Sequence, residues 1–195
     1  MIKTSQSLLS ELKDYQNPYD HIRLLVKNGM LFKLRRGLYE TDRNANLFSI
    51  SSVLYSPSYI SFETALSFYD LIPEKTVEIT AASINARKRK EYINAFGRFS
   101  YQDVPSNVFS LGLRLIENSD CSYIMATKEK ALCDLLSKIK DVGEKEFPTL
   151  LFDDLRLDST AISQFKRSLV ESIAKAYNRP NVYYLVNYLK KGKIQ

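Results

Sequence analysis

Five cations stand between His21 and Tyr39, in the stretch HIRLLVKNGMLFKLRRGLY: Arg23, Lys27, Lys33, Arg35 and Arg36, with no acidic residue among them. Guanidinium and ammonium groups at this density neutralise phosphate, and duplex DNA offers one negative charge per ~1.7 Å of its axis. The chemistry they suit is nucleic-acid recognition, with a solvated basic face as the alternative reading of the same window. A second run, Arg87-Lys88-Arg89-Lys90, fits either secondary phosphate contacts or an exposed loop.

Groups that could do covalent or acid–base work are sparse. His21 is the sole histidine and lies inside the basic window, which predicts a structural or DNA-contacting role for it. Asp153, Asp154 and Asp158 cluster in FDDLRLDST. Paired carboxylates can hold a divalent cation or act as acid and base, but this setting reads more simply as a turn and a helix cap. Neither GxxxxGK[ST] nor GxSxG occurs, so phosphate-loop and nucleophile-elbow chemistry is excluded. Cys121 and Cys133 have no CxxC spacing, which suits two reduced thiols rather than a zinc site or a disulfide framework. A non-enzyme without metal or cofactor is the expectation.

The basic residues need elements to hold them. Asn17 is a good N-cap and Pro18 suits a first helical position, while Ile22, Leu25 and Val26 give one apolar stripe. Gly29 then sits where a left-handed residue would end that helix. Met30–Leu34 and Leu38–Thr41 read as two strands joined at Arg35-Arg36-Gly37, with Gly37 supplying a positive φ. Helix followed by basic hairpin is the order of a recognition helix and wing. Tyr19 or Arg23 would reach base edges, and Lys33, Arg35 and Arg36 would sit on phosphates.

Ahead of this, Ile2–Tyr15 reads as one helix with Leu8, Leu9 and Leu12 inward and Thr4 or Ser5 as cap. A full helix-turn-helix needs a further helix, so the motif is either abbreviated or Ile2–Tyr15 breaks in two. Thr41–Ala45 reads as a linker, which divides the chain into a winged-helix unit (1–45) and a mixed α/β unit (46–195). In the second unit Leu47–Tyr55 and Ser61–Tyr69 read as helices, the latter capped by Ser61 with Glu63 in its first turn. Thr76–Ala82, with Val77 and Ile79 on one face, and Arg98–Asp103, Val108–Leu115 and Tyr123–Met125 read as strands. Thr127–Lys140 is the plainest helix, capped by Thr127, striped by Leu132, Leu135, Leu136 and Ile139, and stopped by Gly143. Ser159–Tyr177 and Asn181–Lys191 close the chain as helices, followed by a basic tail of Lys190, Lys191 and Lys193. The fold class predicted is α+β: an N-terminal winged helix-turn-helix, then a mixed α/β domain ending in helices.

Composition agrees with an anionic partner. The chain of 195 residues carries 28 basic and 22 acidic side chains, a formal charge of +6, and a pI near 9.2. No apolar run approaches the ~18 residues of a membrane span, and Met1–Ser10 lacks a signal-peptide pattern. A cytoplasmic protein with no membrane contact is expected.

Four blocks in order, RRGLYE (Arg35–Glu40), SPSYISFETALSFYDLIPE (Ser56–Glu74), TVEITAAS (Thr76–Ser83) and ATKEKALCDLL (Ala126–Leu136), resemble the AbiEi-type antitoxins of bacterial abortive-infection, type IV toxin–antitoxin systems. The resemblance covers roughly Leu24–Leu136, and SYIS…AL and EKAL…DLL are its most telling parts. It implies an autorepressor whose winged helix binds inverted repeats of double-stranded DNA at its own promoter, as a homodimer matching the two-fold site. It also implies a C-terminal domain that counteracts a nucleotidyltransferase-like toxin. Carried over by position, the DNA contacts are Tyr19, Arg23, Lys27, Lys33, Arg35 and Arg36. Two other functions stay open: an antitoxin acting by direct protein contact with a vestigial winged helix, and a regulator unrelated to any toxin.

Overall fold

The computed structural model describes residues 1–84, 89–118 and 121–191. The first unit runs β1 (Ile2–Thr4), α1 (Ser5–Glu11), α2 (Pro18–Lys27), β2 (Phe32–Arg35) and β3 (Leu38–Glu40), with its strands in the antiparallel order β1-β3-β2. The long helix expected over Ile2–Tyr15 is corrected. Ile2, Lys3 and Thr4 pair instead with Glu40, Tyr39 and Leu38. Thr4, extended, then caps α1 by accepting the Ser7 N–H at 3.1 Å. Between α1 and α2 lie only turns, so two helices precede the hairpin.

α2 forms for the reasons its residues give. Asn17 Oδ1 accepts the Asp20 N–H at 3.4 Å, Pro18 opens the helix, and Gly29 follows it at φ 70°. Ile22 joins Leu8 and Leu31 in a small core edged by Leu9, Leu12, Leu25, Val26 and Tyr39. Gly37, at φ 78°, turns the hairpin. Leu34 and Leu38 belong to the large core of the rest of the chain. Phe32 meets Phe96 edge-on at 5.6 Å, and Asn94 Nδ2 donates to the Leu34 carbonyl at 3.2 Å. The hairpin is thus mortised into the larger unit. Glu40, buried, directs the exit: its Oε1 accepts the N–H groups of Thr41 at 2.8 Å and Asp42 at 3.0 Å.

The larger unit continues through α3 (Leu47–Leu54), β4 (Ser58–Ile60), α4 (Phe62–Phe68), β5 (Glu78–Ser83), β6 (Lys90–Asn94), β7 (Gly97–Asp103), α5 (Ser106–Phe109), β8 (Leu113–Glu117), β9 (Ser122–Ala126) and α6 (Lys128–Lys138). Its six strands lie in the order β6-β7-β5-β4-β9-β8. The β5–β7 and β4–β9 pairs are parallel and the others antiparallel. The molecule is an α+β protein.

Several expectations change here. β4 and β6 are strands the sequence did not announce. The strand expected over Val108–Leu115 divides into α5 and β8, because Gly112 turns the chain at φ 63°. Val77 lies before β5 and is 97 % exposed, so it shares no buried face with Ile79. α6 is enclosed rather than striped: every residue from Glu129 to Leu136 is buried. It ends where Ile139 becomes extended (φ −81°, ψ 138°), ahead of Gly143.

After α6 come α7 (Phe147–Thr149), a π turn at Leu150–Asp154, α8 (Ser159–Ser163), α9 (Arg167–Tyr177) and α10 (Pro180–Lys191). The helix expected over Ser159–Tyr177 is therefore two, with α9 restarting after Lys166. α9 and α10 pack together and against α6, completing its enclosure.

Candidate nucleic-acid interface

The structure places Tyr19, Arg23 and Lys27 on the outer face of α2, all exposed, with Tyr19 at 60 %. Lys33, Arg35 and Arg36 are exposed on the hairpin of the same unit. Two details refine the set. Arg23 Nη1 pairs with Asp20 Oδ1 at 2.7 Å, and Asn17 Nδ2 donates to Asp20 Oδ2 at 2.5 Å, so one carboxylate shares the helix face. Both side chains of that pair are mostly exposed, and solvent weakens it enough for Arg23 to exchange partners. The strand pairing shifts between Lys33, opposite Tyr39, and Arg35, opposite Leu38, and the Arg35 charge is near enough to act on the Tyr101 hydroxyl of β7.

His21 is half-buried and stacks on Tyr15, with ring centroids 4.0 Å apart. This contact ties α2 to the turn after α1. Arg89 meets two carboxylates, Glu78 at 3.1 Å and Glu91 at 3.0 Å, which makes it a poorer phosphate ligand than its neighbours suggest. Lys90 is exposed at the start of β6, the strand that β2 touches. Arg87, Lys88 and the tail residue Lys193 lie outside the described residues. Arg43 belongs to the stretch that reads as a linker in the sequence. It lies exposed with its guanidinium 5.8 Å from the centre of the Phe32 ring, which adds a cation beside β2. Only the fold, by bringing TDRNA back across Phe32, shows it.

The most heavily built polar cluster lies elsewhere. Lys130 and Asp134, one turn apart on α6, are both completely buried and paired at 2.6 Å. Three hydroxyls converge on the same carboxylate: Tyr59 donates to Oδ2 at 2.9 Å, Ser61 to Oδ2 at 2.6 Å, and Tyr177 to Oδ1 at 2.5 Å. The ammonium lies 5.5 Å from the Tyr59 ring centre and 5.0 Å from that of Tyr177. Ser61 was expected to cap α4. It precedes the helix but makes no side-chain cap bond, because its hydroxyl is committed to Asp134.

Burial pulls the Lys130 ammonium below the ordinary lysine value, against the opposing pull of Asp134. It pushes the Tyr59 and Tyr177 phenols far up, with Asp134 adding to the shift. The Cys133 thiol is likewise pushed up by burial, which makes it a poor nucleophile. Gly112 lets the preceding chain reach this helix. Its carbonyl accepts the Thr127 N–H at 2.8 Å, and a Cβ there would stand 2.9 Å from the Lys130 Cβ. Lys130, Asp134 and Ser61 are completely buried and their polar groups are spent on one another, which makes the network a fold-keeping core.

The acidic cluster follows its simpler reading. Asp158 caps α8 by accepting the Thr160 N–H at 2.8 Å and the Ala161 N–H at 3.4 Å, while Asp153 and Asp154 are exposed. Among the described residues no group of three His, Cys, Asp or Glu side chains is arranged to hold a metal ion. No helix among them is long and apolar enough to cross a membrane. Neither a family model nor a curated relative matches the chain.

Proposed function

We propose that the protein is a DNA-binding antitoxin that represses its own operon. In this reading β1, α1, α2, β2 and β3 form an abbreviated winged module. The observation that carries it is the exposure of Arg23, Lys27, Lys33, Arg35 and Arg36 on one helix and one hairpin of a single unit free of acidic residues between His21 and Tyr39. α2 enters the major groove with Tyr19 and Arg23 toward base edges, and the hairpin rests on phosphates. A homodimer on inverted repeats follows from the two-fold symmetry of such sites. Action on a nucleotidyltransferase-like toxin rests on the resemblance of the four sequence blocks and is assigned to the larger unit.

Replacing Arg35 and Arg36 with Ala tests both halves of this reading. The slope of log affinity against log salt should flatten by up to about two, since each phosphate contact contributes about 0.9. Protection of cells from the co-expressed toxin should persist. An unchanged slope removes the hairpin from the DNA interface, and loss of protection contradicts the division of labour.

A further inference from the structure

A cleft of about 680 Å3 opens where β8, the end of α4 and the N-termini of α6 and α9 meet, lined by Tyr69, Arg114, Lys128, Glu129, Lys166 and Leu169. Its volume falls in the range of small-molecule pockets, ~300–1,000 Å3. Three cations converge there, and none forms an ion pair among the described residues. Arg114 instead meets the Tyr69 hydroxyl, and the Lys128 ammonium lies 5.6 Å from the Phe165 ring centre. Lys128 also opens α6, an 11-residue helix whose N-terminal dipole adds to the positive field.

Glu129 supplies an independent sign of a ligand. The residue is 4 % exposed, and its Oε1 accepts the Lys166 N–H at 3.0 Å. The other carboxylate oxygen takes no hydrogen bond from the described residues, and Glu129 is one of the residues lining the cleft. A carboxylate oxygen left without a protein donor at the wall of a cleft is open to a donor from a ligand.

We propose that this cleft binds a small phosphate monoester of nucleotide size, its phosphate between Arg114 and Lys128 and one of its hydroxyl or amino groups donating to Glu129. Net positive lining selects the phosphate, the single carboxylate selects a donor-bearing body, and Tyr69 and Leu169 give it an apolar wall. The site lies beside β8, at the opposite edge of the six-stranded sheet from β6, where the basic hairpin docks. Ligand and DNA would therefore occupy different surfaces.

Titration calorimetry of the full chain with adenosine monophosphate, adenosine and a 5′-phosphorylated oligonucleotide tests this. Saturable binding of the monophosphate is expected, with adenosine weaker by at least about tenfold. Arg114→Gln and Lys128→Gln should each weaken it by about tenfold, whereas Lys175→Gln, an exposed change on α9, should leave it unaltered. Circular dichroism on each variant separates lost binding from lost folding. Absence of saturable binding to the parent protein, equal affinity for adenosine, or indifference to Arg114→Gln and Lys128→Gln would overturn the proposal. Preference for the oligonucleotide would overturn the small-molecule assignment by pointing to a nucleic-acid terminus.

Discussion

Asp134→Ala is expected to cost about 3–5 kcal/mol of folding stability, most of the margin a domain of this size possesses. The carboxylate is the hub for Lys130, Tyr59, Ser61 and Tyr177, all within 2.9 Å and all buried or nearly so. Its removal strands an ammonium in the core and leaves three hydroxyls without their acceptor. Desolvation of orphaned donors, rather than loss of one ion pair, makes the effect large. Replacing both charged residues, as in Lys130→Met with Asp134→Leu, should recover only the part due to the stranded ammonium, since the three hydroxyls of Tyr59, Ser61 and Tyr177 still lack their acceptor. Urea unfolding of the three proteins measures this. A single variant within about 1 kcal/mol of the parent would show that water reaches the cluster and replaces Asp134.

Alkaline unfolding is the second large effect. Burial raises the phenols of Tyr59, Tyr101 and Tyr177 above the ordinary 10.0, and the thiol of Cys133 above 9.0. A group raised in the folded state contributes stability that is fully present below its unfolded value and is lost as pH climbs past it. Each therefore removes about 1.4 kcal/mol per pH unit, Cys133 from about pH 9 and the tyrosines from about pH 10. Lys130 opposes them: its value is lowered from 10.5 by burial, so its single proton favours the fold as pH rises toward that value. Four groups outweigh one, and stability falls steeply above about pH 10. Tyrosinate absorbance should show these three of the 13 tyrosines ionising only as circular dichroism reports loss of the fold. Complete ionisation with helicity intact would place these phenols in solvent and contradict the buried network.

What the sequence revealed and what it hid follow from the range of the interactions involved. α2, its cap and the glycine turns at Gly29 and Gly37 are set by neighbours a few residues apart, and they form where the sequence puts them. β4 spans three residues and lies between β5 and β9, pairings too distant in sequence to be read from so short a run. β1 reads as helix in the sequence, but Ile2–Thr4 takes its conformation from β3, 34 or more residues away, rather than from Leu8 and Leu9.

Ser61 and Asp134 show the same limit at the level of chemistry. The SYIS…AL and EKAL…DLL blocks stand out by order and spacing, but nothing in either says that Tyr59 and Ser61 share one carboxylate with Lys130. The basic window was legible because charge and exposure are local properties. The cleft at Arg114, Lys128 and Glu129 was not, because it exists only where four elements meet.

The proposed recognition of DNA by α2 and the β2–β3 hairpin is tested most directly by a salt-series mobility shift. The purified chain would be titrated against DNA from upstream of its own gene, with scrambled DNA as competitor. Preferential binding is expected, weakening with a slope of about −0.9 per phosphate contacted as salt is raised. Equal affinity for the scrambled duplex, or binding indifferent to salt, would contradict it.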